Sequence, residues 1–262
     1  MTGGVWQMFG DAALRIYLAG EVAIERGEQL LREVDLPGRQ GRLAFVYLVV
    51  ERERAVPQSE LAELLWPESL PASWPVALSA VVSKLRQKLG TLGLDRDRVI
   101  ANAFRCYQFR PPTETWIDLE AAANAVHQAE GALAGNQPQV AYGPALIAAT
   151  IARRPFLAGE DSPWIDSRRQ RQRELLVRAL DCRVEALLSN GEVVLALNQA
   201  RAAVELEPYR ESGYRRLMQV LVRQGDRGEA IRVYNQCRRL LAAELGVAPS
   251  NETESLRRSL AG

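Results

Sequence analysis

The segment "SWPVALSAVVSKLRQKLG", residues 73–90, carries three cations and no acid in a chain whose charges otherwise nearly cancel. At 100° per residue its large apolar side chains fall on one side of a helix: Leu78, Val81, Val82, Leu85 and Leu89. Small or amide-bearing side chains fall on the opposite side: Ser79, Ala80, Ser83 and Gln87. Lys84 and Arg86 flank them, and Lys88 lies closer to the buried side. The pattern predicts an amphipathic helix that either fits a DNA major groove or forms an ordinary solvated surface.

Short elements surround this helix in a recognisable order. Residues 13–31 read as two or three strands joined by glycine turns. Residues 37–53 show one helical apolar stripe, and residues 56–68 predict a short helix that ends at Pro67. Residues 98–112, "RVIANAFRCYQFRPP", read as a β-hairpin closed by two prolines. Two helices joined by a turn and followed by a hairpin describe a winged helix-turn-helix.

The positive charge is local. Residues 11–73 hold 7 Arg and 11 Asp or Glu, whereas residues 74–112 hold 7 Lys or Arg against 2 Asp. From residue 113 onward 19 cations meet 19 anions, and the net charge is +1. A basic region on a neutral chain is typical of a nucleic-acid-binding surface.

From Trp116 onward the sequence predicts helices and no strands. The segments "SNGEVVLALNQARAAVELEP" (189–208) and "RQGDRGEAIRVYNQCRRLLA" (223–242) align at an offset of 34, pairing Gly191 with Gly225 and Ala196 with Ala230. This offset is the tetratricopeptide period, in which alanine allows close helix approach. We therefore expect a mainly α protein with a small β component: a winged helix-turn-helix at 1–112 and a tetratricopeptide-like helical array at 113–262.

Several function classes lack support in the sequence. The one histidine, His127, has no orienting partner nearby, no phosphate-binding glycine loop exists, and the three cysteines form no CxxC pair. We expect no enzyme activity, no metal and no cofactor. The N-terminus shows no signal-peptide pattern and no apolar run approaches 18 residues, so the expected location is cytoplasmic, at the nucleoid, with no membrane partner.

The chain resembles the Streptomyces antibiotic regulatory proteins, which join an OmpR-like winged helix to a bacterial transcriptional activator domain. The first half of the resemblance lies in "LRIYLAG" (14–20), "SELAELLWPESLPAS" (59–73) and "ALSAVVSKLRQKLG" (77–90). The second half lies in residues 162–188, "SPWIDSRRQRQRELLVRALDCRVEALL", and residues 240–260, "LLAAELGVAPSNETESLRRSL". The order and spacing of these segments carry the resemblance, which spans residues 14–260.

The resemblance implies roles for particular residues. Helix 75–89 becomes the DNA recognition helix, on which the family presents Ser79, Ser83, Lys84 and Arg86 to DNA. The hairpin 99–109 becomes the wing, with Arg105 near its tip aimed at a phosphate or the minor groove. The proline-rich loop 67–75 corresponds to a polymerase-contacting segment, with Glu68, Ser69 and Trp74 as candidates. Cys106-Tyr107 replaces the Gly-Tyr that the family usually carries in the second wing strand.

These patterns define one function hypothesis and one alternative. In the first, the protein is a transcriptional activator that binds promoter direct repeats, pairs as a homodimer on DNA and recruits RNA polymerase holoenzyme. Lys84, Arg86 and Arg105 then bind phosphates, and Ser79, Ser83 and Gln87 lie against base edges. In the alternative, the helical array binds a partner protein and the winged helix is a degenerate scaffold that does not bind DNA.

Overall fold

The computed structural model describes residues 13–261, so the first 12 of the N-terminal residues considered for a signal peptide lie outside it. The chain divides into two compact units. The first unit comprises Met1–Glu120 and Arg154–Arg169, and the helical unit comprises Ala121–Arg153 and Gln170–Gly262. The predicted domain boundary after residue 112 stays a prediction, but the compact units place residues 113–120 and 154–169 with the first unit.

The first unit contains a four-stranded sheet, one strand of which sequence reasoning did not predict. Its four-stranded sheet has the order β3-β2-β1-β7, in which β7 pairs in parallel with β1. The absence of strands after Trp116 was therefore a wrong prediction, because β7 begins at that residue. The elements of this sheet are β1 (Leu14–Tyr17), β2 (Ala23–Arg26), β3 (Gln29–Arg32) and β7 (Trp116–Ile117).

Three helices and a second sheet complete this unit. The second sheet has the order β4-β6-β5, all antiparallel. Together with α2 and α3 this sheet forms the predicted winged helix-turn-helix. The elements are α1 (Gly38–Val50), β4 (Val56–Pro57), α2 (Gln58–Leu65), α3 (Trp74–Thr91), β5 (Ile100–Ala103) and β6 (Cys106–Phe109).

Helix α1 is the centre of the first core. The sequence predicted a single apolar stripe, but every residue from Leu43 to Val49 is buried. The cause is its position, because α1 packs against α2, α3 and strand β6 and has little solvent face over these residues. Phe45 meets Phe109 of β6 edge to face, with ring centroids 5.8 Å apart.

Residues 154–169 return to the first unit and fill part of its core. Phe156 and Ile165 are buried in the same cluster as the strands, and Ala19 forms a β-bridge with Phe156. Glu160 is also buried and pairs with Arg39 and Arg42 of α1. The segment is therefore part of this fold rather than a linker.

The helical unit contains most of α4 and of α6, all of α5 and of the four later α-helices, and a π-helix at Leu241–Leu245. Gly191 and Gly225, aligned by the 34-residue repeat, both have left-handed backbone (φ 77° and 89°) just before a new helix, as the turn requires. The aligned Ala196 and Ala230 are fully buried. The helices are α4 (Asp118–Ala134), α5 (Pro138–Ala152), α6 (Pro163–Ser189), α7 (Val193–Leu206), α8 (Glu211–Gln224), α9 (Arg227–Leu240) and α10 (Asn251–Ala261).

Acid is expected to weaken the first unit through Glu51. Burial acts to raise the pKa of this carboxyl, but hydrogen bonds from Trp164, Arg54 and Arg168 lower it below its ordinary value of 4.5. Because the folded pKa lies below the unfolded one, the stabilisation is complete above about pH 4.5 and is lost as the pH falls through the folded pKa. Urea unfolding followed between pH 7 and pH 3 is expected to show this loss, and Glu51→Gln should flatten the profile. If Glu51→Gln left the pH dependence of urea unfolding unchanged, Glu51 would not be the cause of the acid sensitivity.

Candidate nucleic-acid interface

Helix α3 has one buried side and one exposed side, as its sequence predicts. Its core side chains are each at most 1% exposed: Leu78, Val82, Leu85 and Leu89. Pro75 occupies the first turn, where its missing N–H is tolerated. At the other end Arg26 donates to the carbonyl oxygens of Leu92 and Gly93, at 3.0 and 2.8 Å, and so holds the end of the helix against strand β2.

The exposed side of α3 presents polar and cationic groups with no acid. The predicted base-reading residues Ser79, Ser83 and Gln87 are exposed, as is Lys84. Lys88 is exposed too, although the helical wheel placed it nearer the buried side. Within residues 13–261, neither lysine ammonium group has an ion-pair partner. Both charges are thus available to an outside anion, one turn apart on the helix.

Arg86 is used within the fold. Its Nε and Nη2 both donate to the carbonyl oxygen of Ile100 in β5, at 3.1 and 2.5 Å. The side chain is half-buried, and two of its donors are therefore not directed at a phosphate. The structure gives Arg86 a different task from the predicted one, which is to connect α3 to the hairpin.

Tyr107 of β6 forms a second link between α3 and the hairpin. Burial raises the pKa of this phenol, while the Arg86 charge and the Ser79 side chain act in the opposite direction. Ser79 therefore lies beside a buried tyrosine as well as on the exposed helix face. The α3 surface and the hairpin are positioned together.

The hairpin β5–β6, residues 100–109, has the shape predicted for a wing. Ala103 pairs with Cys106, which leaves Phe104 and Arg105 as a two-residue turn at the tip. Both turn residues have positive φ, 51° and 58°, the signature of a type I′ turn. Arg105 is exposed at the tip, as predicted, and the Cys106 thiol lies 3.6 Å from the Phe104 carbonyl oxygen. Sequence reasoning missed Phe104, whose side chain is 99% exposed.

The proline-rich loop separates its three candidate residues. Glu68 and Ser69 are exposed and available to a partner. Trp74 is half-buried and packs against the core of the first unit. Its role as a contact residue has less support than theirs, because much of the ring is already covered.

Other candidate sites can be placed in the same way. His127 is exposed on α4, and among residues 13–261 no group of three or more His, Cys, Asp or Glu side chains is placed to hold a metal ion. In the described part of the chain, no helix combines the length and apolar character needed to cross a membrane.

In the basic run 168–174, Arg168 pairs with Glu51, and Arg169 donates to backbone oxygens of residues 156, 157 and 160. These two arginines have structural partners.

The comparisons with known proteins agree with this fold. The model of the bacterial transcriptional activator domain matches residues 117–261, more than half of the chain, and the chain belongs to that family. The regulatory protein AfsR of Streptomyces griseus is 28% identical over 255 residues, covering 95% of this chain and 24% of AfsR. The transcriptional regulatory protein EmbR of Mycobacterium tuberculosis is 25% identical over 218 residues, covering 82% of this chain and 55% of EmbR. The resemblance to the Streptomyces antibiotic regulatory protein type is confirmed.

A solved structure of Mycobacterium tuberculosis EmbR, in complex with a low-affinity phosphopeptide, matches with a TM-score of 0.85 and 24% identity. The match covers 95% of this chain and 65% of that chain, and it confirms the predicted fold class. The chain spans about a quarter of the length of AfsR and about half of EmbR. These relatives are named as regulatory proteins.

Proposed function

We propose that the protein is a sequence-specific DNA-binding transcriptional activator in which α3 enters the major groove. The acid-free exposed face of α3, with Lys84 and Lys88 unpaired within residues 13–261, is the observation that carries this proposal. A B-DNA major groove about 12 Å wide admits a helix, and short polar side chains allow close approach to base edges. Ser79, Ser83 and Gln87 then read bases, while the lysines and Arg105 bind phosphates.

Arg86 acts in this proposal as a positioning residue. By holding the carbonyl oxygen of Ile100 it sets the distance between α3 and the wing, so that both reach one duplex. Truncation of Arg86 is then expected to weaken binding through the wing, even though two of its donors bind the Ile100 carbonyl oxygen within the fold.

The partners beyond DNA follow from the same assignment. Exposed Glu68 and Ser69 are proposed to contact RNA polymerase holoenzyme next to the bound helix. A near-neutral chain binds phosphates weakly as a single copy, so pairing of two copies on promoter direct repeats is proposed to supply the remaining affinity. The proposed location is the cytoplasm, at the nucleoid.

The double variant Lys84→Gln/Lys88→Gln tests the helix contact. Each lost phosphate contact lowers the slope of log K against log salt by about 0.9, so the variant should lose about 2 from the slope and bind more weakly. The measurement is fluorescence anisotropy against salt, with a duplex selected from a random pool. Arg171→Gln/Arg173→Gln removes two exposed charges from α6 and should bind like the unaltered protein. An unchanged slope in the lysine variant would show that α3 is not the DNA contact.

A cavity in the helical unit favours the protein-interaction alternative as a second candidate. It measures about 630 Å³ and is lined by residues of α9, α10 and the segment between them, which includes a π-helix (Leu241–Leu245). Its walls include exposed Ile231 and Val247 beside Tyr234, whose hydroxyl donates to Glu254. If this function is the right one, the protein should retain a partner in a pull-down and give no salt-dependent shift of duplex DNA.

A further inference from the structure

The tip of the wing combines two unfavourable features. Phe104 and Arg105 occupy left-handed backbone, where a side chain other than glycine or asparagine costs about 1–2 kcal/mol per residue. Type I′ turns favour Asn-Gly for this reason. Phe104 is also 99% exposed, so its ring is left in water. A backbone outlier that also exposes an aromatic ring points to a contact outside the fold.

Hydrogen bonds within the fold hold the tip in place. The backbone N–H of Gln58, the first residue of α2, donates to the carbonyl oxygen of Arg105 at 2.9 Å. The side-chain amide of Gln58 donates to the Asn102 side chain at 3.3 Å. The Arg86 bonds to Ile100 connect the base of the same hairpin to α3. Because the turn is fixed relative to α2 and α3, a partner that binds it has little conformational entropy to remove.

The charges around Phe104 are positive, so they attract a polyanion and repel a cationic protein surface. Arg105 is its neighbour in the turn, and the sequence from residue 98 to residue 113 contains no Asp or Glu. Exposed Lys84 and Lys88 lie on the helix that the hairpin braces. An apolar ring beside a cation and free of acids suits the minor groove, whose sugar edges are apolar and whose rims are phosphates.

We propose that Phe104 enters the minor groove beside the sequence bound by α3 and partly unstacks one base step. The inference rests on the proposed function and adds a sequence preference to it. Unstacking takes the least energy at pyrimidine–purine steps such as TA and CA, so the duplex should prefer such a step under the wing tip. Arg105 then contacts a flanking phosphate.

Phe104→Asn tests the ring while keeping a residue that tolerates the turn. We expect about tenfold weaker binding to the selected duplex, with an unchanged salt slope, because no phosphate contact is lost. Thermal stability should stay equal or rise, since asparagine accepts left-handed backbone. Arg105→Gln should instead lower the salt slope by about 0.9. Val34→Asn removes another apolar side chain, 85% exposed between β3 and α1, and should bind like the unaltered protein.

A spectroscopic readout separates unstacking from simple packing. A duplex with 2-aminopurine at the step under the tip should brighten with the unaltered protein and stay dim with Phe104→Asn. If the unaltered protein binds the duplex and Phe104→Asn matches it in affinity and fluorescence, this inference fails and the proposed function stands. If the unaltered protein binds no duplex, the proposed function fails first. Loss of a protein partner in Phe104→Asn, with DNA affinity intact, would also overturn the inference.

Discussion

Replacing Asp118 by alanine is expected to lower the free energy of unfolding of the first unit by about 3 kcal/mol. This carboxylate is 2% exposed and accepts three backbone N–H groups. The N–H of Leu18 bonds to Oδ1 at 2.9 Å, that of Ala19 to Oδ2 at 2.9 Å, and that of Leu119 to Oδ1 at 2.8 Å. Alanine leaves all three donors without an acceptor, two of them buried and that of Leu119 partly buried, and each costs about 1 kcal/mol.

Asp118→Asn provides the matched control. The amide keeps the shape and one acceptor oxygen, but it turns a donor towards one of the N–H groups, so a smaller loss than for alanine is expected. Burial raises the pKa of Asp118 above its ordinary value of 3.8, against the effect of the three backbone bonds. Because Asp118→Asn removes the charge, it recovers part of the free energy that burying the carboxylate costs. A loss for Asp118→Ala below about 1 kcal/mol would show that water replaces the carboxylate.

Tryptophan fluorescence is the measurement suited to this experiment. Among residues 13–261 the tryptophans are at positions 66, 74, 116 and 164, and all four belong to the first unit. Urea unfolding followed by fluorescence thus reports this unit, whereas far-ultraviolet circular dichroism is dominated by the helices. If the fluorescence midpoint shifts more than the dichroism midpoint, the loss is confined to the unit that contains Asp118.

Phe45→Ala is expected to cost the first unit about 3–5 kcal/mol, the range for removing a buried phenylalanine. The Phe45 ring is fully buried at the middle of α1 and contacts Phe109 of β6 edge to face. The alanine variant would lose the hydrophobic free energy of burying the ring, and it would have a cavity between α1 and the base of the wing. Fluorescence-detected urea unfolding measures the change, with Phe45→Leu expected to lose much less.

Phe104→Ala also replaces phenylalanine by alanine, but at an almost fully exposed position. Because that ring is 99% exposed, its removal should leave the free energy of unfolding within about 0.5 kcal/mol. A large loss in both variants would mean that the effect comes from the unfolded chain rather than from core packing. A small loss in Phe45→Ala would contradict the placement of α1 at the centre of the core.

The predictable parts of this fold are those with local periodicity. The apolar spacing of residues 78–89 gave α3 its buried side, and the glycine and alanine at an offset of 34 located the helix pairs. The wing followed from two short apolar runs around a tight turn. In each case one segment contains the whole signal, so neighbouring residues suffice to predict the element.

The parts that were missed depend on distant pairing. Strand β7 is two residues long and exists because it lies beside β1, about a hundred residues earlier. The role of Arg86 depends on where the carbonyl of Ile100 lies, and a helical wheel contains no such partner. Phe104 was not predicted as a contact residue because an aromatic residue in a strand pattern normally indicates a core position. Its exposure follows from the turn register alone.

The return of residues 154–169 to the first unit has a consequence for how the protein is made. A ribosome that has released the first 120 residues has not yet supplied Phe156, Ile165 or the Glu160 partner of Arg39 and Arg42. Part of the apolar interior of the nascent first unit therefore stays uncovered until two helices of the other unit have been synthesised. A truncation after residue 120 makes that unfinished state permanent, so an expression clone of the first unit should extend to residue 169.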